Sequence, residues 1–553
     1  MDVPDEFRRR GNRLTDTPTT DTGGSQIRTS HGLENSQANR SALIQRVPFV
    51  TVTVAALLAF CAGAVFLASV VNIRHFRDVS FPDSAILMTV QYFAETGRIY
   101  TDLTRPPYMV APYGPLTYAV LSLAYRAAGV IGQRPEVAVR VVLVAAFACS
   151  LFLVFLISRR LSRSTTVGWL SFLFAAAVLP IARWTTQIRG DFLALSCSLL
   201  GVSLFLRATT LPQTLAAATV AGLAVLFKQT FVTAPAAMVV CLLWERRFKD
   251  AAYVIVLLVV LVAGAYGLLQ WREPLMVEHF RVLSRPFFDY GGALSLMWKA
   301  IGQPVVPFAA AGVLLAMAHG GHERRLILTY CLFSWLLATV TITHVGANIN
   351  YFWEPLFISA ILAGPAVYEL QRRVAGTGIL TAMVVLVLIH ASIPGLREQY
   401  AHARESVDQF VSHPARQARW HNFTSIIQGR RLLSTIPSVT IHSSSPEAVD
   451  PFTNSFMRDD WDSSPLVTDI KAKQYELVVV LKGDSDQPNF YRGLRLWNEG
   501  IWSALRANYK PACLWDRMEI WLPDGGGEQL RERLLSAGCI AVPPSGYDQG
   551  SAN

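Results

Sequence analysis

The chain has 553 residues, of which 52% are hydrophobic and only 16% charged, with 49 Lys and Arg against 39 Asp and Glu. Soluble globular proteins carry about 25% charged residues, so a wholly soluble, disordered or collagen-like chain is excluded. Long apolar stretches recur between about residues 48 and 394, which predicts a polytopic α-helical membrane protein. The net charge of +10 lies partly in the N-terminal tail and in short loops, as membrane topology demands, and gives no case for nucleic acid as a partner.

Residues 1–45 are polar and lack apolar periodicity, and read as a disordered tail marked by Arg8, Arg9, Arg10, Arg13, Arg40 and Arg46. The first apolar run begins too late for a cleavable signal peptide. Eleven crossings are expected, at about 48–71, 140–158, 165–182, 190–206, 212–227, 230–244, 250–270, 302–318, 325–343, 353–370 and 376–393. Basic clusters at Arg159-Arg160-Leu161-Ser162-Arg163, Glu245-Arg246-Arg247-Phe248-Lys249, His322-Glu323-Arg324-Arg325 and Gln371-Arg372-Arg373 all fall on one side, the cytoplasmic one. The expectation is a multi-pass protein of the cytoplasmic (inner) membrane, with its N-terminus inside and its C-terminal domain outside. Residues 115–130 are apolar enough to span, but a crossing there would reverse Arg159, Arg160 and Arg163, so they read as a re-entrant or interfacial helix.

Charge returns after about residue 395, and residues 395–553 predict an extracytoplasmic α/β domain. Strand-like runs lie at Ser438–His442 and Tyr475–Leu481, with a helical stretch at Gly493–Asn508. No C-x-x-C pair occurs. Cys61, Cys149, Cys197, Cys241 and Cys331 sit in apolar segments and read as small buried groups. Cys513 and Cys539 are free to pair if their domain faces an oxidising compartment. Asp459, Asp460 and Asp462 lack the remaining positions of a calcium loop and read as a solvated loop.

The unusual polar residues near the membrane collect on the outer side. The first outer loop, 72–114 of a 46–394 transmembrane region, holds Arg74, His75, Arg77, Asp78, Asp83, Glu95, Arg98, Asp102 and Arg105. Arg189-Gly190-Asp191 opens one crossing, Lys228 lies in a short link between two others, and a third cluster runs from His344 to Glu354. Lys228 is either a turn residue that snorkels to the headgroups or a fixed cation for a phosphate. Asp191 and Asp83 each stand where a helix begins, so each is either a cap or a functional carboxylate.

Several of these strings carry a resemblance. Phe81-Pro82-Asp83-Ser84-Ala85-Ile86, Gly97-Arg98-Ile99-Tyr100-Thr101-Asp102, Pro106-Pro107 and Tyr113-Gly114-Pro115-Leu116-Thr117-Tyr118 resemble the first outer loop of GT-C glycosyltransferases, in the bacterial branch of protein O-mannosyltransferases and aminoarabinose transferases. Arg189-Gly190-Asp191 is similar to the Arg-x-Asp motif of that branch, Phe227-Lys228-Gln229-Thr230 to its Thr-Lys-x-x step, and Gly346–Glu354 to its Gly-x-x-x-Asn-Tyr-Phe-x-Glu motif. Asp450-Pro451-Phe452, Trp461-Asp462 and Tyr475–Val479 resemble its outer domain. Ser84 stands where the branch has Glu, and Phe227 where it has Thr.

The resemblance implies a GT-C fold of about 11–13 transmembrane helices and transfer of a monosaccharide from a polyprenyl-phosphate carrier to a glycan, lipid or protein acceptor. Asp83 would be the general base of an inverting attack, with Lys228 and Arg189 at the donor phosphate. Asp191 would orient Arg189, while Tyr113, Asn350, Tyr351 and Glu354 would support the pocket. No cofactor is implied, and no metal is indicated. Two rivals remain: a lipid or polyol transporter or flippase, for which repeated halves would be expected, and a catalytically silent structural relative.

Overall fold

The computed structural model describes residues 49–74, 83–374 except 106, 178–183, 285–287, 304, 320 and 345–346, and 397–542 except scattered positions between 398 and 413 and the stretches 442–461, 483–489, 492–493 and 496. The expected crossing at 376–393, the motif segments around Phe81-Pro82 and Asp450–Trp461, and the side chains of His75, Arg77, Asp78, Asp459 and Asp460 lie outside the described residues.

Apolar runs that lack a breaker become helices. In chain order these are α1 (Phe49–Ile73), α2 (Asp83–Thr96), α3 (Pro115–Val130), α4 (Pro135–Ser162), α5 (Thr165–Ala177), α6 (Asp191–Phe205), α7 (Leu211–Phe227), α8 (Thr233–Trp244), α9 (Phe248–Arg272), α10 (Met276–Leu283), α11 (Tyr290–Ile301), α12 (Val305–His319), α13 (His322–Thr341) and α14 (Trp353–Val374). Each expected crossing up to 353–370 therefore coincides with a helix. By length and composition α4 and α9 each suffice to cross a bilayer alone, while α5, α6, α7 and α8 are shorter apolar helices. Only 6% of the apolar window of α9 is buried within the protein, against 56% for α4. α9 is therefore peripheral, with its Val and Leu side chains left for lipid.

Contacts sort the helix ends into two groups. Arg160 Nε meets Glu323 Oε1 at 2.8 Å, His322 contacts Glu245, and Phe205 stacks on His322 with 5.8 Å between ring centroids. The ends of α4, α6 and α8 and the start of α13 thus share one end of the bundle, and the basic clusters at 159–163, 245–249 and 322–325 come with them. At the other end, Gly114 N–H donates to the Phe227 carbonyl (3.0 Å) and Arg134 Nη2 to the Arg74 carbonyl (2.7 Å). Both ends of α3 lie there, because α4 begins five residues after α3 stops. α3 packs along α2 and α4.

The C-terminal region carries a five-stranded sheet. Its strands are β1 (Leu432–Ser434), β2 (Leu477–Leu481), β3 (Tyr509–Trp515), β4 (Met518–Pro523) and β5 (Ile540–Ala541), in the order β1-β2-β4-β3-β5. β1 and β2 are parallel and every other pairing is antiparallel. Alternate residues of β2 enter two cores, as the period of a doubly covered strand requires. Leu477 and Val479 meet Trp420, Phe423 and Leu534 on one face. Val478 and Val480 meet Trp497, Ile501 and Trp502 on the other, and that core also takes in Leu103, Tyr108 and Val110 of the first outer loop and Val282 of α10. The sheet therefore shares a core with the outer loop, and residues Thr53–Asn553 form a single unit.

Some local expectations are corrected. The strand expected at Ser438–His442 is not found over its described residues 438–441, because Pro437–Thr440 forms a short helix against α2, and a strand lies instead at Leu432–Ser434. The helix expected at Gly493–Asn508 begins at Glu499, where the Asn498 side chain accepts the Ile501 N–H at 3.0 Å. Leu494–Arg495 is extended instead. Cys149 faces outward from the bundle. Cys513 and Cys539 form a disulfide that ties β3 to the segment just before β5.

Two buried side chains pin the outer loop from below. Glu273, just past α9, accepts the backbone N–H groups of Ile99 (2.7 Å) and Tyr100 (2.9 Å). The Ala111 N–H donates to His279 Nδ1 (3.2 Å), which leaves the proton on Nε2 for the Thr101 carbonyl at 2.8 Å. Burial pushes His279 down to about 4 from 6.5. The unfolded chain then binds the extra proton between those values, so the stability from neutral His279 is complete above pH 6.5 and is lost as pH falls toward 4. Its loss is worth about 3 kcal/mol. Thermal unfolding of the detergent-solubilised chain should show this slope, and His279→Gln should flatten it between pH 4 and 6.5.

Candidate active site

The end of the bundle where Gly114 meets the Phe227 carbonyl gathers the polar residues. α7 is a continuous apolar helix until Phe227, and Lys228 leaves it in extended geometry (φ −148°, ψ 121°). α6 starts beside it. Gly114 and Gly190 allow this approach, since a Cβ on Gly114 would collide with the Leu226 carbonyl and one on Gly190 with Thr117. Thr117 Oγ1 also donates to the Phe227 carbonyl at 2.8 Å. The turn that presents Lys228 is thus held by the start of α3.

Lys228 Nζ lies 2.6 Å from Asp191 Oδ1, and the two side chains are only 7% and 3% exposed. Asn350 Nδ2 donates to the same oxygen at 2.9 Å. The ammonium also sits 4.3 Å above the Tyr351 ring, a cation–π arrangement. Asn350 and Tyr351 come from a single 3-10 turn, Ile349–Phe352, which leads into α14. Glu354, one step further, points elsewhere and accepts the Tyr330 hydroxyl at 2.7 Å. Tyr351 and Glu354 thus serve different partners, although a helical turn would place them side by side.

The Arg189 guanidinium lies near the Tyr113 hydroxyl and 4.9 Å from the Trp184 ring centroid. Burial pushes the Tyr113 hydroxyl above its ordinary range, so Tyr113 stays protonated. Asp191 accepts hydrogen bonds from Lys228 and Asn350, where the resemblance had it orient Arg189, and it makes no cap hydrogen bond to α6. Among the described residues, Asp191 Oδ2, Asn350 Oδ1 and Arg189 Nε are buried without a hydrogen-bond partner. Buried polar atoms are nearly always paired, so these three atoms, two of them on side chains joined to Lys228 through Asp191 Oδ1, have bonding capacity to spare.

Asp83 is fully buried at the start of α2. Its Oδ1 accepts the Ile188 N–H at 3.2 Å, and its Oδ2 lies 3.7 Å from Arg140 Nη2. Arg140, 2% exposed, is a site residue absent from the sequence reading. Its signal was an arginine five positions into an otherwise apolar helix. Beside this pair lies a cavity of about 170 Å³, lined by Ser84, Gln91, Glu136, Arg140, Ile188 and Ser438 among others. Ser438 brings the C-terminal region to its wall. Glu95, Arg98 and Arg105 are exposed, and Asp102 pairs locally with Arg105 and Thr104. None of them joins Asp83.

A family model described as dolichyl-phosphate-mannose-protein mannosyltransferase matches residues 113–268, which include Tyr113, Arg189, Asp191 and Lys228. No curated protein sequence matches the chain. Among solved structures, ArnT from Cupriavidus metallidurans in the apo state superposes with a TM-score of 0.56 at 13% identity, over 85% of this chain and 98% of that one. The same protein bound to undecaprenyl phosphate gives 0.56 at 12%, with the same coverage. The apo oligosaccharyltransferase of Archaeoglobus fulgidus gives 0.52 at 12%, over 83% of this chain and 73% of that one.

The buried pair sets an expectation for stability. Removing either partner of such a pair strands the other charge and costs about 3–5 kcal/mol. Asp191→Ala and Lys228→Ala should each lower the thermal midpoint strongly, and the double variant should lose much less than the sum of the two. Additive losses would mean that the two side chains do not depend on each other.

Proposed function

We propose that this chain, which has the GT-C fold and is related to protein mannosyltransferases and aminoarabinose transferases, is a membrane glycosyltransferase that takes a sugar from a polyprenyl-phosphate carrier. The observation that carries this reading is the segment Ile188–Asp191. Its first residue holds Asp83 through a backbone N–H, its second is the half-buried Arg189, and its fourth holds Lys228. A carboxylate and two cations are thereby fixed to one short stretch of backbone. That is the arrangement required by a reaction which removes a proton at one point and stabilises a departing phosphate at another.

Lys228 and Arg189 receive the donor phosphate, and the orphaned Arg189 Nε and Asn350 Oδ1 complete its bonds and those of the sugar. Asp83 accepts the proton of the acceptor hydroxyl as that oxygen attacks the anomeric carbon. The bond from that carbon to the phosphate oxygen breaks, and the lipid phosphate leaves with its charge against Lys228 and Arg189. Attack opposite the leaving group inverts the anomeric centre. Arg140 supplies a counter-charge 3.7 Å from the buried Asp83 carboxylate before the acceptor arrives. The cavity lined by Ser84, Arg140 and Ser438 gives the acceptor a place beside the Asp83–Arg140 pair. The binding of undecaprenyl phosphate by ArnT, a protein of the same fold, supports the choice of donor. The basic clusters at the opposite bundle end support an outward-facing site in the cytoplasmic membrane, under the positive-inside rule.

Reconstituted full-length protein with labelled polyprenyl-phosphate sugars tests this. Asp83→Asn should cut turnover by about 100- to 10,000-fold with donor binding retained, and Lys228→Ala should weaken donor binding and turnover together. Near-normal turnover in Asp83→Asn would reduce Asp83 to a structural carboxylate. Movement of the lipid without sugar transfer would favour the transporter reading.

A further inference from the structure

The opposite end of the bundle gathers three side chains that sugar transfer does not use. Cys241 stands in the last turn of α8, and Glu245 follows four residues later, just past its end at Trp244. His322 opens α13, which packs along α8. His322 Nδ1 lies 3.6 Å from Cys241 Sγ and is also in contact with Glu245 Oε1. One donor atom from each residue falls within 4.8 Å of the other two. Cys241 is buried, while Glu245 and His322 are half-buried.

We propose that Cys241, Glu245 and His322 bind a zinc-class divalent cation that clips the end of α8 to the start of α13. The donor set is one thiolate, one carboxylate and one imidazole, all of them zinc ligands, and magnesium or calcium would demand oxygen alone. The spacing agrees. With Zn–S of about 2.3 Å and Zn–N of about 2.0–2.1 Å, a tetrahedral site has an S-to-N edge of about 3.5 Å, and the observed distance is 3.6 Å. The cation moves in between His322 and Glu245, which now touch directly. The proton on Cys241 passes to solvent as the metal binds. Thiolate and carboxylate then balance the charge of the ion, which suits a half-buried position, and water takes the fourth place.

The neighbours already orient the ligands. Phe205 stacks on the His322 ring and fixes its plane. Arg247 Nη1 lies 3.7 Å from Glu245 Oε2, which leaves Oε1 to face the cysteine and histidine. The site lies at the opposite bundle end from Asp83 and Lys228, so the clip acts on the bundle and takes no part in the chemistry.

The test uses full-length protein in detergent, freed of any affinity tag and of metal, and titrated with cobalt(II) as a spectroscopic probe. One equivalent should bind with a thiolate-to-cobalt charge-transfer band and the visible bands of a four-coordinate ion, and zinc should displace it. Cys241→Ser should abolish the charge-transfer band, and His322→Gln should weaken binding at least about tenfold. Zinc should raise the thermal midpoint of the wild type and not that of Cys241→Ser. A folded wild type that shows no thiolate–cobalt band overturns the proposal, and needs no variant to do so. A band that survives Cys241→Ser, or unchanged affinity in His322→Gln, overturns it equally and leaves an ordinary Glu245–His322 ion pair.

Discussion

A lysine ammonium buried at the end of an apolar helix must have an anion within reach, and much of this architecture follows from that need. Left alone, the charge would cost several kcal/mol in desolvation. Asp191 meets it only because the entrance of α6 lies against the exit of α7, and that approach in turn depends on two glycines and on a threonine bonded to the Phe227 carbonyl. The same contact draws in the first outer loop, whose Gly114 N–H donates to Phe227 as well. Asn350 then fixes the loop that enters α14. Four distant parts of the chain are registered against one another by a single charge.

The two ends of the bundle have opposite characters. One collects exposed arginines around Glu245, His322 and Glu323, where water moderates each pairing. The other collects buried polar side chains that pair with one another, and some of their atoms have no hydrogen-bond partner among the described residues. Charge spread at a surface contributes mainly to orientation in the membrane, whereas charge confined in a low-dielectric pocket acts strongly on whatever enters it.

Most of the helical frame was legible in the sequence, because an apolar run long enough to span has few alternatives. The reading of 115–130 as a helix that does not separate Arg159 and Arg160 from Glu323 and His322 agrees with the contact Arg160 makes with Glu323. Lys228, Asp191 and Asn350 were legible as candidates but not as partners. Their pairing crosses 37 and 159 residues of sequence, and no spacing rule reaches that far. Arg140, Glu273 and His279 were missed for a related reason. Each is a polar residue at a helix start or in a linker, where surface exposure is the usual fate, and only the fold buries them. Ser438–His442 alternates like a strand, but Pro437 suits a first helical turn, and packing on α2 decided the matter.

The core shared by the C-terminal sheet and the outer loop bears on how the molecule is made. Leu103, Tyr108 and Val110 leave the ribosome early, while Trp497, Ile501 and Trp521, against which they pack, come from the last stretch of the chain. The loop must therefore wait, partly unburied, through the insertion of every later helix. Chain closure over nearly four hundred residues is entropically slow, and the interval leaves apolar side chains open to chaperones and proteases. A polypeptide that stops before the sheet would carry every described helix of the bundle and still leave Leu103, Tyr108 and Val110 without the core they pack into.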